Sequence, residues 1–212
     1  MIAALAFASG LPAQGPTARP GWLGQGKFLV AGRDLRDPNF FHTVVLILEH
    51  SSEGALGVVV NRPTEVKLAD LMPDLEGLEK LQDRVFEGGP VLPGHVMLLL
   101  RAESEPSESH QVIDGVFYSA SREALSEVLG RGGDRDDVRI FLGHAGWAAG
   151  QLEWEVKGGG WHILSADSAS VFDEEPAELW DHLIDRTSGA LADRGPADRG
   201  PADSSLLALE SP

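Results

Sequence analysis

Short apolar runs, separated by polar or Gly- and Pro-rich breaks, dominate the chain, and their lengths predict strands more often than helices. Lys27–Ala31 (KFLVA) closes at Gly32 and reads as a strand. Thr43–His50 (TVVLILEH) and Ala55–Asn61 (ALGVVVN) are rich in β-branched residues, and only Ser51-Ser52-Glu53-Gly54 lies between them, which predicts a hairpin. Both runs are apolar on both faces, so this hairpin belongs inside a sheet, and Pro63 ends it by removing a donor. Residues 64–84 carry a weak helical pattern (Leu68, Leu71, Met72, Leu75, Leu78, Leu81) broken by Pro73 and Gly77, predicting one short helix and an irregular crossing.

Glu87-Gly88-Gly89-Pro90 reads as a tight corner, followed by a buried strand at His95–Leu100. Glu103–Glu108 is an acidic loop, Val116–Ser119 a further strand, and Ser121 caps a helix running to about Gly130 with Leu125, Val128 and Leu129 inward. Arg131–Asp137 reads as a charged turn. Val138–Gly143 is a strand that should lead into a loop of small residues and then a helix from near Ala148–Gln151. Trp161–Ala166 is the last strand, and Pro176–Arg186 the last helix, with Pro176 in its first turn and Leu179, Trp180, Leu183 and Ile184 on one face. Strands come in clusters instead of alternating with helices, which favours α+β with a mixed, largely antiparallel sheet.

The ends read differently. Ile2–Ala8 is apolar for seven residues, far below the roughly 20 that span a bilayer, and no Lys or Arg precedes it as in a secretory signal, although the small residues at Ala8–Gly10 and Leu11–Ala13 would suit a signal peptidase and leave export as the alternative. Residues 1–21 are expected to be a disordered extension. The pentad ADRGP repeats at Ala192–Pro196 and Ala197–Pro201, so residues 188–212 are expected to be a disordered tail. Between them lies a single domain, 22–187.

Charge narrows the partners. The 212 residues carry 17 Lys and Arg against 33 Asp and Glu, a net of −16. Residues 22–186 hold 14 basic and 29 acidic side chains, a net of −15, so the acidity belongs to the body. Such a surface repels phosphate backbones and anionic membranes, so direct DNA binding and membrane association are not expected. The chain contains no Cys, which removes thiol nucleophiles and thiolate metal sites. GxSxG, HExxH and the phosphate loop GxxxxGK[ST] are all absent, so no familiar hydrolase, zinc-protease or nucleotide signature is present, and no cofactor or metal is expected.

Candidate chemistry is therefore local. Backbone N–H groups around Gly143–Gln151, with His144 and Gln151, suit an anion at a helix start; equally, Gly146 and its neighbours let Trp147 pack on the sheet. Gly88-Gly89 suits a nest of amides or simply a corner. Glu49 and His50 are adjacent strand residues that face opposite sides and cannot easily share a metal, which leaves His50 hydrogen-bonded at the hairpin turn. His144 with Glu153 would make an acid–base pair only if the fold brought them together.

As an ordered set these motifs are more specific than any one of them. Asp37-Pro38-x-Phe40, Glu49-His50, Gly54-Ala55-x-Gly57, Asn61-Arg62-Pro63, Gly88-Gly89-Pro90 and Gly146-Trp147, followed by Gly150-Gln151-Leu152-Glu153, resemble the YqgE/AlgH family of bacterial proteins from about Gly26 to Arg186. The family more often has an aromatic at position 144. The resemblance implies a cytoplasmic α+β protein whose sheet is strongly bent, pseudo-barrel-like, with helices outside, and a proposed role in regulating alginate synthesis genes. It supplies no catalytic residues. The motifs are dominated by residues that solve backbone problems, and Glu49, His50, Asn61, Gln151 and Glu153 remain as the polar candidates. The functional expectation is a non-enzymatic binding or regulatory protein contacting a protein or a small anionic ligand, with self-association as a structural possibility. The alternative is an enzyme with Glu49 or Glu153 as acid/base and the Gly143–Gln151 turn stabilising an anion.

Overall fold

The structure, a computed structural model, describes residues 23–71, 85–132 and 136–192. The expectations for residues 1–21, most of the 64–84 crossing, the middle of the Arg131–Asp137 turn and the chain beyond Ala192 lie outside the described residues. Nine strands form the sheet: β1 (Lys27–Ala31), β2 (Val44–Ser51), β3 (Gly54–Val59), β4 (Val85–Glu87), β5 (Val91–Arg101), β6 (His110–Ile113), β7 (Val116–Ser119), β8 (Val138–Ala148) and β9 (Trp161–Ser165). Among the described residues five helices accompany them: α1 (Leu68–Leu71), α2 (Arg122–Gly130), α3 (Gln151–Lys157), α4 (Ser168–Phe172) and α5 (Pro176–Ala192).

The strand order is β6-β7-β5-β8-β3-β2-β1-β9. Every pairing is antiparallel except that of β4, which runs parallel to the first half of β8. The β2–β3 hairpin is central, as its two-faced apolar runs predicted, and closes over Ser52-Glu53 with Ser51 opposite Gly54. Val44 to Leu48 and Val58 to Val59 are fully buried.

The sheet curls into a half-barrel, and particular residues bend it. In β2, Leu48 is the extra residue between the Ile47–Gly57 and Glu49–Leu56 pairs, a bulge that increases local twist. β8 changes partners along its length, from β5 and β4 to β3, with Gly143 at φ +71° between the two halves. The curl brings the ends of the sheet together, so that Tyr118 Oη on β7 donates to Glu49 Oε1 on β2.

Helices lie outside. α2 is capped by Ser121, whose side chain accepts from Glu123 N–H and Ala124 N–H, and buries Leu125, Val128 and Leu129 against Leu98, Leu100, Val138 and Ile140. α5 lays Leu179, Trp180, Leu183 and Ile184 on β1 and β9, and Trp180 Nε1 donates to Ala31 O at 2.8 Å. Three differences from expectation stand out. β6 and the short α4 carry too few apolar positions to be read from pattern. The last helix runs on past Arg186 to Ala192. The loop expected after Gly143 is instead the second half of β8, laddered to β3 as far as Ala148.

Candidate functional site

The motif residues fall into three groups. The first is a pinned loop at the start of β2. Asp37 Oδ1 accepts Asn39 N–H at 2.8 Å and Asp37 O accepts from Phe40 and Phe41, folding residues 37–42 into a turn. Asn61 clamps that turn to the sheet: its Oδ1 accepts Val44 N–H at 2.8 Å and its Nδ2 donates to His42 O at 3.0 Å. Arg62 donates to the carbonyls of Asn39 (2.7 Å), Phe41 (3.1 Å) and Pro38 (3.4 Å). Phe40 points inward against Trp147 and Trp161, with ring centroids 6.0 and 5.4 Å away. The Asp-Pro-x-Phe and Asn-Arg-Pro motifs are thus two halves of one device.

The second group surrounds α3. Glu155, which the sequence reading passed over, is its hub: Oε2 accepts Trp147 Nε1–H at 3.0 Å and Trp161 Nε1–H at 2.9 Å, while Oε1 accepts from Gln151 Nε2 at 2.9 Å. Gln151 Oε1 also accepts Ala148 N–H at 3.1 Å. Its spacing of four from Gln151 on a helix was the one available signal. Glu153 pairs with His50 Nε2 at 2.9 Å, tying α3 to the hairpin. Glu49, on the opposite face of β2, accepts from Tyr118. Burial, and secondly that bond to Glu49, push the Tyr118 hydroxyl above its usual range. Trp154 points away from this network and is 75% exposed.

The third group is a backbone contact at the middle of β8. Gly88 N–H donates to Leu142 O at 2.8 Å and Gly88 O accepts Val59 N–H at 2.9 Å, so successive free amides are not available there for a phosphate. Gly89 sits at φ +144°, and a Cβ on it would stand 2.5 Å from His144 C and O. His144 lies opposite Val91 and Gly146 opposite Leu56 in the ladders, so the part of the expected Gly143–Gln151 loop up to Ala148 is strand, while a helix does start at Gln151. Burial, then the nearby charge of His95, hold the His144 imidazole below its usual range. His144 and Glu153 make no mutual contact, because each belongs to a different group.

Two clefts open elsewhere. One of about 940 Å³ is lined by Arg101, Gln111, Asp114, Phe117, Val128 and Arg131, among others. One of about 500 Å³ includes Arg101, Arg139, Phe172 and Glu174. Arg101 divides them, bonded to Asp137 at 3.0 Å and Asp173 at 2.8 Å; burial opposes its charge, but these bonds outweigh burial and hold the guanidinium above its usual range. None of the candidate site residues (Glu49, His50, Asn61, Gly88, Gly89, His144, Gly146, Trp147, Gln151 and Glu153) lines either cleft. Among the described residues no three of His, Asp and Glu gather as a metal site, and no helix is long and apolar enough to cross a membrane.

A curled antiparallel half-barrel with outer helices, its turns fixed by interlocking Asn, Arg, Gly and Pro motifs, defines the class. The AlgH-like family profile matches residues 28–192, and the chain belongs to that family. A UPF0301 protein of Chlorobaculum tepidum is 36% identical over 165 residues, which cover 77% of this chain and 87% of the relative. A UPF0301 protein of Thioalkalivibrio sulfidiphilus is 39% identical over 157 residues, covering 73% and 84%. The solution structure of the AlgH protein from Pseudomonas aeruginosa, 29% identical, superposes with a TM-score of 0.61 over 93% of this chain and 98% of that one. A crystal structure of a Corynebacterium diphtheriae protein, 22% identical, shares the fold with a TM-score of 0.67 over 77% and 87%.

Proposed function

We propose that the chain acts in the cytoplasm by binding, through contacts with other proteins, and that any part in transcriptional regulation passes through such a partner and not through DNA. The observation that carries this reading is Trp154. A large aromatic 75% exposed is unusual, and this one rides on a helix whose inner side is fixed by Leu152, the His50–Glu153 pair and the Glu155 hub. Rigidly presented Trp is the residue type most enriched among binding hot spots. The polar motif residues, by contrast, are already engaged: Asn61 with the backbone of Val44 and His42, Glu49 with Tyr118, His50 with Glu153, and Gln151 with Glu155. The net charge of −15 on the body argues against a nucleic-acid partner.

The enzymatic alternative needs Glu49 or Glu153; Glu49 on β2 is held by Tyr118, while Glu153 on α3 is paired with His50, whose side chain leaves the other face of β2. The test places a photo-crosslinking amino acid at position 154 in cells, with position 66, another partly exposed apolar site, as control. A discrete protein adduct at 154 and none at 66 is expected. No adduct at 154, or saturable turnover abolished by Glu49→Gln or Glu153→Gln, overturns the reading.

A further inference from the structure

The sheet has two terminal strands, and among the described residues only one is covered. The outer side of β6 meets the segment before β1: Gln25 Nε2 donates to Gln111 O at 2.5 Å, and a Cβ on Gly26 would stand 3.0 Å from Val112 O. β6 is also bulged between Gln111 and Ile113. β9 pairs with β1 alone, and the register of that ladder fixes where each peptide group points. Gly32 N–H donates to Gly160 O at 2.9 Å and Ala166 N–H donates to Gly26 O at 3.1 Å. Gly160, His162, Leu164 and Ala166 therefore face β1, and alternation turns the N–H and C=O of Ile163 and Ser165 outward. Neither residue makes a further backbone bond among the described residues, and Ser165 is exposed and Ile163 half-buried. The strand WHILS carries no Lys, Glu, Pro or bulge, the usual means of blunting an edge.

We propose that this edge accepts, by strand addition, an extended cationic segment of a partner protein. Main-chain bonds to Ile163 and Ser165 supply affinity and alternate side chains supply selectivity. The charge of the partner follows from the surroundings, where one cation, Lys27 on β1, donates to Ser165 Oγ at 3.0 Å and is set against the acids of α5. α5, which packs on β1 and β9, exposes Glu178, Asp181 and Asp185 along one stripe, and the body as a whole carries −15. Asp185 is already paired with Arg33 at 2.7 Å, and the other two acids are left for an incoming cation. A second copy of this chain would bring the same negative charge to the same edge, so it is the less suited occupant. The inference goes beyond the reading built on Trp154 and does not depend on that residue.

The experiment selects a phage-displayed random dodecapeptide library on the full chain and follows the best binder as a synthetic peptide. Expected are sequences enriched in Lys and Arg, slowed hydrogen exchange at the Ile163 and Ser165 amides, and affinity that falls between 50 and 500 mM salt. Ser165→Pro removes an outward donor and the exposed Oγ that accepts from Lys27 Nζ at 3.0 Å, but no bond of the β1–β9 ladder, so the chain should fold, while the peptide binds at least about tenfold more weakly, as loss of a main-chain bond and steric blocking of the edge require. Should that variant not fold, the same peptide N-methylated at alternate residues must bind as poorly to the unaltered chain. Selected peptides without cationic bias, protection at other amides, or unchanged affinity after N-methylation overturn the proposal. Concentration-dependent protection of Ile163 without peptide, with a doubled mass by light scattering, overturns it in favour of a second copy.

Discussion

Replacing Asn61 by Ala removes the clamp between the 37–42 turn and the sheet, and its effect can be worked from the contacts. Asn61 Oδ1 accepts the amide of Val44, a fully buried residue, and the substitution leaves that N–H without an acceptor in a dry site. An unsatisfied buried donor costs about 1–3 kcal/mol, and loss of the Nδ2 bond to His42 O adds about 1 kcal/mol. The sum, about 2–4 kcal/mol, lowers Tm by about 5–15 °C for a domain of this size. Urea unfolding should show a reduced midpoint with an unchanged slope, since the surface exposed on unfolding hardly alters. Arg62→Ala deletes three bonds to carbonyls of an exposed turn, and should cost no more than about 1 kcal/mol while accelerating hydrogen exchange at residues 37–42. The two substitutions should be non-additive because they release the same segment. A loss below about 0.5 kcal/mol for Asn61→Ala would show that the residue is not there to hold the backbone, and the structural reading of the motif would fail.

Two further outcomes follow from the same accounting. Glu155→Ala leaves the Nε1–H groups of two buried indoles, Trp147 and Trp161, unsatisfied and should cost about 2–5 kcal/mol with a changed near-ultraviolet circular dichroism spectrum, whereas an unchanged spectrum would refute the hub. His144, held below the usual imidazole value of 6.5, binds its proton more weakly folded than unfolded; its contribution to stability is full above that pH and declines as pH falls below it. His144→Asn should therefore lose less stability between pH 7 and pH 5 than the unaltered chain, measured by urea midpoints, and an equal loss in both would contradict the direction of the shift.

Much of the fold was legible because its signals are local. The β2–β3 hairpin, the Ser121 cap and the amphipathic face of α5 each follow from residues within one element. What escaped depends on partners distant in sequence. Residues 143–148 look like a loop because they are small, yet they are strand because β3 lies alongside and Gly88-Gly89 can approach only where Cβ atoms are absent. Glu155 looked like one more acid in an acidic helix until the fold set two indole donors beside it. The pleat puts Glu49 and His50 on opposite sides from sequence alone, but the partners that each meets there were likewise invisible. Sequence puts Glu49 beside His50, while the pleat sends one to Tyr118 and the other to Glu153.

That contrast bears on where function resides in such a chain. A sharp turn or a backbone-to-backbone contact tolerates one or two residue types, so the sequence announces it, as at Asn61 and Gly89. A docking surface asks only for exposed area, charge and unpaired peptide groups, which many residue types provide. The open side of β9 is the extreme case: its hydrogen-bonding capacity belongs to the main chain, and WHILS reads the same whether that side is paired or free. Only the strand order, with β9 last and β6 covered, distinguishes the two. The most recognisable residues of this fold are therefore expected to govern stability, and the least recognisable ones association. Stability and partner capture should accordingly separate when Asn61 and Ser165 are altered one at a time.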